Sequence, residues 1–307
     1  MSGTSVDVEV EGRALKLSNL DKVLYPATGF TKGQIIDYYT RVAPALLPHL
    51  RQRALTLKRY PNGVDAQFFY EKNCPKHRPP WVNTVSVFSS RNKADIDYCV
   101  IDDLPSVVWV ANLAALELHT SLSASTKVEQ PTMVVFDLDP GAPATIVECS
   151  RVALLLREIL DHLGLQCFPK TSGSKGMQIY APLNTDGVTY DDTKPFANAI
   201  ARMLEAQHPE LVLSSMAKEL RKGKVFIDWS QNDFSKTTVC VYSLRARERP
   251  TVSTPLRWNE VEHVANTGDA ALVTFDADAV LARVDKDGDL FAPVAELQQR
   301  LPAAPPS

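Results

Sequence analysis

The sequence has little of what marks a membrane or exported protein. Apolar runs such as Val107–Val110 and Val152–Leu156 fall far short of the roughly 18–20 residues that a membrane span needs. The N-terminus, Met1-Ser-Gly-Thr-Ser-Val-Asp7, has neither a basic stretch nor an apolar one, so no secretory signal is expected. Cysteine is scarce: five residues, odd in number and scattered, with no Cys-x-x-Cys pair. That argues against a disulfide scaffold and for reduced thiols in a cytoplasm. Cys74-Pro-Lys-His77 is the one close Cys/His pair, but it lacks a second half for zinc and reads as a polar loop before Pro79-Pro80. Glycine (13) and proline (21) are too few for a fibrous or low-complexity chain. A net charge of −3 excludes a histone-like polycation.

What is present suits a soluble globular protein. With 307 residues, 45% of them hydrophobic, the chain should bury roughly three quarters of its unfolded surface. Thr31-Lys-Gly-Gln34 fits a capping box before a helix with Ile35, Ile36, Tyr39, Val42, Ala43, Leu46 and Leu47 on one face, which Pro44 should kink or divide. Leu55–Tyr60 alternates like a strand, and Asp103 with Pro105 opens a helix expected to run to about His119. A strand over Thr132–Leu138, a helix over Thr145–Leu163, and short strands around Thr171–Gly176 follow. A helix over Thr193–Gln207 and strands at Val225–Trp229 and Thr237–Ser243 come next. The mixture indicates an α+β fold with a mainly antiparallel sheet flanked by helices. The end, Pro302–Ser307, should be frayed.

Charge is unevenly distributed. Residues 218–249 hold eight Lys/Arg against four acids, whereas 258–307 hold nine acids against three bases. A basic segment of this kind can form an anion-binding face. Val134-Val-Phe-Asp-Leu-Asp-Pro140 places Asp137 and Asp139 on one face of a strand, with Phe136 and Leu138 on the other. Paired carboxylates there suit Mg2+ or Mn2+, although strand ends also carry Asp in turns. Val225-Phe-Ile-Asp228 supplies a third acid, which could instead pair with Arg221, Lys222 or Lys224. Three strand-borne aspartates would serve two metal ions. Lys170-Thr-Ser-Gly-Ser-Lys-Gly176 lets backbone N–H groups converge on an anion beside Lys175, but a plain hairpin turn has the same composition.

Two further patterns are weaker. Asp137-x-Asp139 with Asp191-Asp192 is reminiscent of haloacid dehalogenase phosphatases, but Gly141 stands where Thr or Val belongs. Asp285–Asp289 with Glu296 echoes a calcium loop in which Leu290 occupies the obligatory glycine position.

Taken in order, Ser18–Pro26, Lys58–Gly63, Ala115–His119, Phe136–Pro140, Thr171–Gly176, Val225–Asn232 and Tyr242–Arg245 resemble the archaeo-eukaryotic primase superfamily. They are most similar to the polymerase domain of bacterial ATP-dependent ligase D. The resemblance implies a primase-polymerase catalytic domain over residues 15–292, between an N-terminal extension (1–14) and a C-terminal tail (293–307). It implies nucleotide addition to a DNA 3′ end, with ribonucleotides preferred. Asp137, Asp139 and Asp228 would be the catalytic residues and hold both metal ions, Mn2+ or Mg2+. Lys58, His119, Ser172, Gly173, Lys175, Arg221, Gln231 and Arg245 would hold the incoming nucleoside triphosphate. Asn19, Lys22 and Lys32 would grip a DNA 5′-phosphate, and Phe69 with Tyr70 would contact the template.

The sequence departs from the family pattern in three places. Gln178 stands where relatives often carry His, 17 residues (120–136) separate His119 from Asp137, and no Lys-x-Asp-Gly ligase nucleophile follows. The expectation is therefore a monomeric, stand-alone, cytoplasmic and nucleoid-associated polymerase that fills short gaps bearing a downstream 5′-phosphate. A separate ATP-dependent DNA ligase, and a Ku-type end binder, would complete repair. End joining of double-strand breaks is its close variant. A metal-dependent phosphohydrolase and a non-catalytic DNA-end binder are the alternatives from other classes.

Overall fold

The computed structural model describes residues 4–89 and 92–303. In chain order the elements begin with β1 (Ser5–Val10), β2 (Arg13–Ser18), β3 (Val23–Tyr25), β4 (Phe30–Thr31) and α1 (Lys32–Leu50). Next come β5 (Leu55–Arg59), β6 (Phe69–Glu71), β7 (Asn83–Ser89), β8 (Ala94–Val100), α2 (Leu104–Asn112) and β9 (Ala115–Thr120). They continue with β10 (Met133–Pro140), α3 (Ile146–His162), β11 (Phe168–Thr171), β12 (Met177–Pro182) and α4 (Tyr190–Gln207). The last are β13 (Val212–Leu213), β14 (Val225–Asp228), β15 (Thr238–Val239), α5 (Trp258–Thr267), α6 (Ala277–Asp287) and α7 (Ala292–Glu296). The α+β class with antiparallel sheets is as expected, and the strands divide between two main sheets. Of the end expected to fray, residues 304–307 lie outside the described residues.

One compact unit holds the chain through Ser121 with Val239–Ser253 and Phe275–Asp289. Its sheet has the order β15-β9-β5-β8-β7, and β6 also pairs with β5. Helix α1 starts as the sequence indicates: Thr31 Oγ1 accepts from Gln34 N–H and Gln34 Oε1 accepts from Thr31 N–H. Pro44 does not divide the helix, since α1 runs on through Pro44 and Pro48. Each internal proline costs about 3 kcal/mol. Ile35, Tyr39, Val42, Leu46 and Leu50 are essentially fully buried, and at about 1.5–3 kcal/mol each their burial prevails.

Helix α2 is capped by Asp103, which accepts from Ser106 N–H. It stops at Asn112 instead of running to His119, because Ala114 adopts φ 56° and turns the chain into β9. The apolar run misled because Ala115, Leu116 and Leu118 are buried on a strand covered on both faces. The expected strand Thr237–Ser243 shrinks to β15. The cysteine expectation also needs correction: Cys74 and Cys99 form a disulfide, while Cys149, Cys167 and Cys240 are buried thiols outside it. Asp289 of the calcium-like loop accepts from Tyr242 Oη and lies 2.8 Å from His49 Nε2.

The other unit holds Leu122–Thr238, Thr254–Thr274 and the chain from Leu290. Its sheet has the order β11-β12-β10-β14-β13, antiparallel except for the β13–β14 pair. Phe136 and Leu138 of β10 are fully buried, with α3 and α4 packed on the strand. Asp192, half of the phosphatase-like acidic pair, accepts from Thr189 N–H and Oγ1 at the start of α4. A helix cap explains it.

Candidate active site

The central strand β10 sets Asp137 between two neighbours. Across one side Asp137 pairs with Gln178 of β12, which pairs in turn with Lys170 of β11; across the other it pairs with Asp228 of β14. Opposed residues of adjacent strands project from the same face, so Lys170, Gln178, Asp137 and Asp228 form one row. Lys170 is fully buried and donates from Nζ to Gln178 Oε1 at 2.5 Å. A lysine only donates, so this bond turns the Gln178 amide nitrogen toward Asp137, with which Gln178 is hydrogen-bonded. Burial, with the charges of Asp139 and Asp228, pushes the Asp137 carboxyl up to about 7. Asp139, two residues on, is about half exposed and lies 4.0 Å from Arg221 Nη1.

Asp228 is held from the protein side. Its Oδ1 accepts from Ser230 N–H and Oγ, and its Oδ2 accepts from Gln231 Nε2 at 3.0 Å. Among the described residues no three His, Cys, Asp or Glu side chains form a ready metal cage. The donor chemistry nevertheless fits a hard divalent cation. Three carboxylates crowd one face of β10 and β14, and burial with their mutual repulsion raises the Asp137 carboxyl, a strain that a bound cation would relieve.

Two glycines fix what lies beside this row. A Cβ on Gly176 would meet the Leu138 carbonyl oxygen at 2.1 Å, and one on Gly141 would meet the Arg221 carbonyl oxygen at 1.8 Å. The Ser172–Gly176 turn and the Arg221 segment therefore lie directly on β10. The turn differs from the expected open nest. Ser172 Oγ already accepts from Ser174 and Gly176 N–H, and Thr171 Oγ1 accepts from Gly173 N–H. Lys175 is exposed at its tip. Arg221 lies 3.9 Å over the Phe226 ring, and its buried Nε lacks a hydrogen-bond partner.

The other unit carries a second cluster. His119 is on β9, not at a helix end, and shares a strand face with Glu117. Glu117, missed in the sequence, is 2% exposed and collects Lys58, His119 and Arg245. Its signal was the Leu-Glu-Leu-His alternation, hidden by the helical assignment. The surrounding bases hold the Glu117 carboxyl well below its usual range despite burial. Burial, aided by Arg245 and Lys58, lowers His119 although Glu117 opposes it. Lys58 also lies over the Phe68 ring at 4.4 Å and the Tyr70 ring at 5.6 Å. Phe69 and Tyr70 are exposed on β6, opposite Arg59 and Lys58.

Asn19, Lys22 and Lys32 come together before α1. Asn19 has φ 54°, its carbonyl accepts from Lys22 N–H, and the Lys22 carbonyl accepts from Lys32 N–H. Lys22 Nζ reaches Asn62 Oδ1, and the buried Lys32 Nζ donates to the Ser18 carbonyl oxygen at 2.6 Å. Burial and the charges of Lys22 and Arg59 lower the Lys32 ammonium to about 8.

The model of the LigD primase-polymerase domain family matches residues 31–291. The chain belongs to that family. It is 42% identical over 294 residues to the multifunctional non-homologous end joining DNA repair protein LigD of Mycobacterium tuberculosis, covering 91% of this chain and 38% of that protein. It is 33% identical over 277 residues to the bifunctional LigD of Bacillus subtilis, covering 90% of this chain and 43% of that protein. The chain thus spans less than half the length of these relatives. Among solved structures, the polymerase domain of Mycobacterium tuberculosis ligase D in complex with DNA superposes with a TM-score of 0.85 at 40% identity, covering 93% of this chain and 99% of that one. The family is one of DNA nucleotidyltransferases, metal-dependent and using nucleoside triphosphates, and this chain is an enzyme of that class. No helix among the described residues is long and apolar enough to cross a membrane.

Proposed function

We propose that this chain is a DNA repair polymerase that extends a primer 3′ end across short gaps bearing a downstream 5′-phosphate, taking ribonucleotides by preference. The observation that carries the reading is the row of Lys170, Gln178, Asp137 and Asp228 across four strands, with Asp139 one pleat further on. The primer 3′-oxygen attacks the α-phosphorus in line and pyrophosphate leaves. Asp137 and Asp139, with Asp228 alongside, would hold two Mg2+ or Mn2+ ions, which would supply Lewis-acid neutralisation of the charge that develops.

The chain's own groups do the rest. Gln178 orients the Asp137 carboxylate, and Ser230 with Gln231 orients that of Asp228. Ser172 and Gly173 shape the turn that presents Lys175 to the triphosphate, and the partnerless Arg221 Nε offers a further donor. Lys58, His119 and Arg245 supply hydrogen-bond donors for the nucleotide. Phe69 and Tyr70 offer exposed ring faces for template bases, and Asn19, Lys22 and Lys32 hold the 5′-phosphate. A monomer working with a separate ATP-dependent ligase completes this reading.

The test offers a one-nucleotide gap with and without the 5′-phosphate, with ribo- or deoxynucleoside triphosphates, in Mg2+ or Mn2+. The reading expects one addition, faster with ribonucleotides and with the phosphate present. No extension in any arm contradicts it. End joining is the second reading, favoured by the names of the relatives, which are non-homologous end joining proteins. The β9–β10 connection is short and tied in place by the Ser123–Pro131 bridge and the Ser123 Oγ to Val128 carbonyl bond, which favours gap filling. Extension of one 3′-overhang templated by another end, with Ku present, distinguishes the two.

A further inference from the structure

Lys58, His119 and Arg245 come from β5, β9 and the segment after β15; Arg245 disfavours a positive charge on Lys58, and both disfavour one on His119. Unaided, such a set spreads apart. Glu117 sits among them, almost wholly buried, with two oxygens and four donors. Oε1 accepts from Ala246 N–H at 3.1 Å and lies 3.4 Å from Lys58 Nζ. Oε2 lies 3.0 Å from His119 Nε2 and 3.4 Å from Arg245 Nε. Three hydrogen bonds and the Arg245 guanidinium thus hold both carboxylate oxygens from the protein side.

We propose that Glu117 is a positioning residue for nucleotide binding, a buried counter-ion that gathers Lys58, His119 and Arg245 into one fixed donor array and sets the protonation of His119. The proposal rests on the reading that these three side chains hold the nucleotide. Preorganisation of this kind lowers the ordering cost of binding, so it acts chiefly on nucleotide affinity. The charged and titratable groups facing His119 are Glu117 on its own strand, Lys58 of β5, Tyr70 of β6 and Arg245. Among them Glu117 alone favours the imidazolium. Its loss should therefore move the His119 titration to lower pH.

The test compares Glu117→Gln, which keeps the shape and loses the charge, with Glu117→Asp, which keeps the charge on a shorter stem. Steady-state gap filling, gapped-DNA binding and an NMR titration of His119 are measured on each. The expected result for Glu117→Gln is a nucleotide KM raised at least about tenfold, with a smaller change in kcat and unchanged DNA affinity. The His119 titration moves to lower pH, and Glu117→Asp restores part of both effects. A folded Glu117→Gln protein with unchanged KM and His119 titration overturns the proposal, provided His119→Ala and Arg245→Ala do raise KM. If those two variants leave KM unchanged, the nucleotide reading fails, while the NMR titration still decides whether Glu117 governs His119. Should Glu117→Gln not fold, the same measurements on Glu117→Met, which also removes the charge, decide, and wild-type values there overturn the proposal.

Discussion

A side chain at residue 176 cannot be accommodated: its Cβ would sit 2.1 Å from the Leu138 carbonyl oxygen, in the backbone that carries Asp137 and Asp139. Gly176→Ala should cost at least about 2 kcal/mol in denaturant unfolding and raise the nucleotide KM, because the turn must lift off β10. Lys32 makes a prediction in pH. Its ammonium is lowered to about 8 by burial and its basic neighbours. Discrimination between phosphorylated and unphosphorylated gaps should then weaken as pH rises from 7 toward 9.5. Lys32→Arg, which stays charged throughout, should flatten that profile. The same shift has a sign in stability: the folded pKa is below the unfolded one, so the unfolded chain binds more protons between them. Lys32 thus contributes stability that increases as pH rises from about 8 toward the ordinary lysine value, a trend that urea melts would register.

Helix α1 begins at Lys32, so the element's start and the proposed phosphate grip are the same place. Thr31→Ala removes the Oγ1 that accepts from Gln34 N–H and should cost about 1 kcal/mol in thermal or denaturant unfolding. It should also weaken 5′-phosphate discrimination, since Lys32 is the first residue the cap orders. Here local chemistry was legible: Thr31-Lys-Gly-Gln34 names its own hydrogen bonds. Asp137 and Asp139 were legible for a similar reason, because alternation on a strand is a local property. The strand placement of His119 was not. The stretch from Val107 to Leu118 is apolar but for Asn112 and Glu117, and what separates α2 from β9 is the left-handed turn at Ala114, a position held by neither glycine nor asparagine. Losing that boundary also concealed Glu117, whose role depends on sharing a strand face with His119. Lys170 was hidden for another reason. Only the cross-strand registers to Gln178 and Asp137 make a lysine beside a turn into a buried member of the carboxylate row.

At the scale of the molecule, the α+β class was readable from composition and periodicity, whereas the division of strands into two sheets depends on pairings distant in sequence. The Cys74–Cys99 bond belongs to this class, as it joins the β6–β7 connection to β8, a contact that spacing alone does not indicate. Nucleic-acid binding is a whole-molecule property too. Gapped-DNA affinity should fall linearly with salt on logarithmic axes, and Lys22→Ala should reduce that slope by about 1 while leaving extension of an unphosphorylated gap unchanged. The central claim is that the carboxylate row on β10 and β14 performs nucleotidyl transfer. Its most direct test is addition to a one-nucleotide, 5′-phosphorylated gap by the wild-type chain and by Asp137→Asn at equal DNA occupancy. The account predicts addition by the wild type and none above background by the variant, with matching DNA affinities; wild-type extension by Asp137→Asn would contradict it.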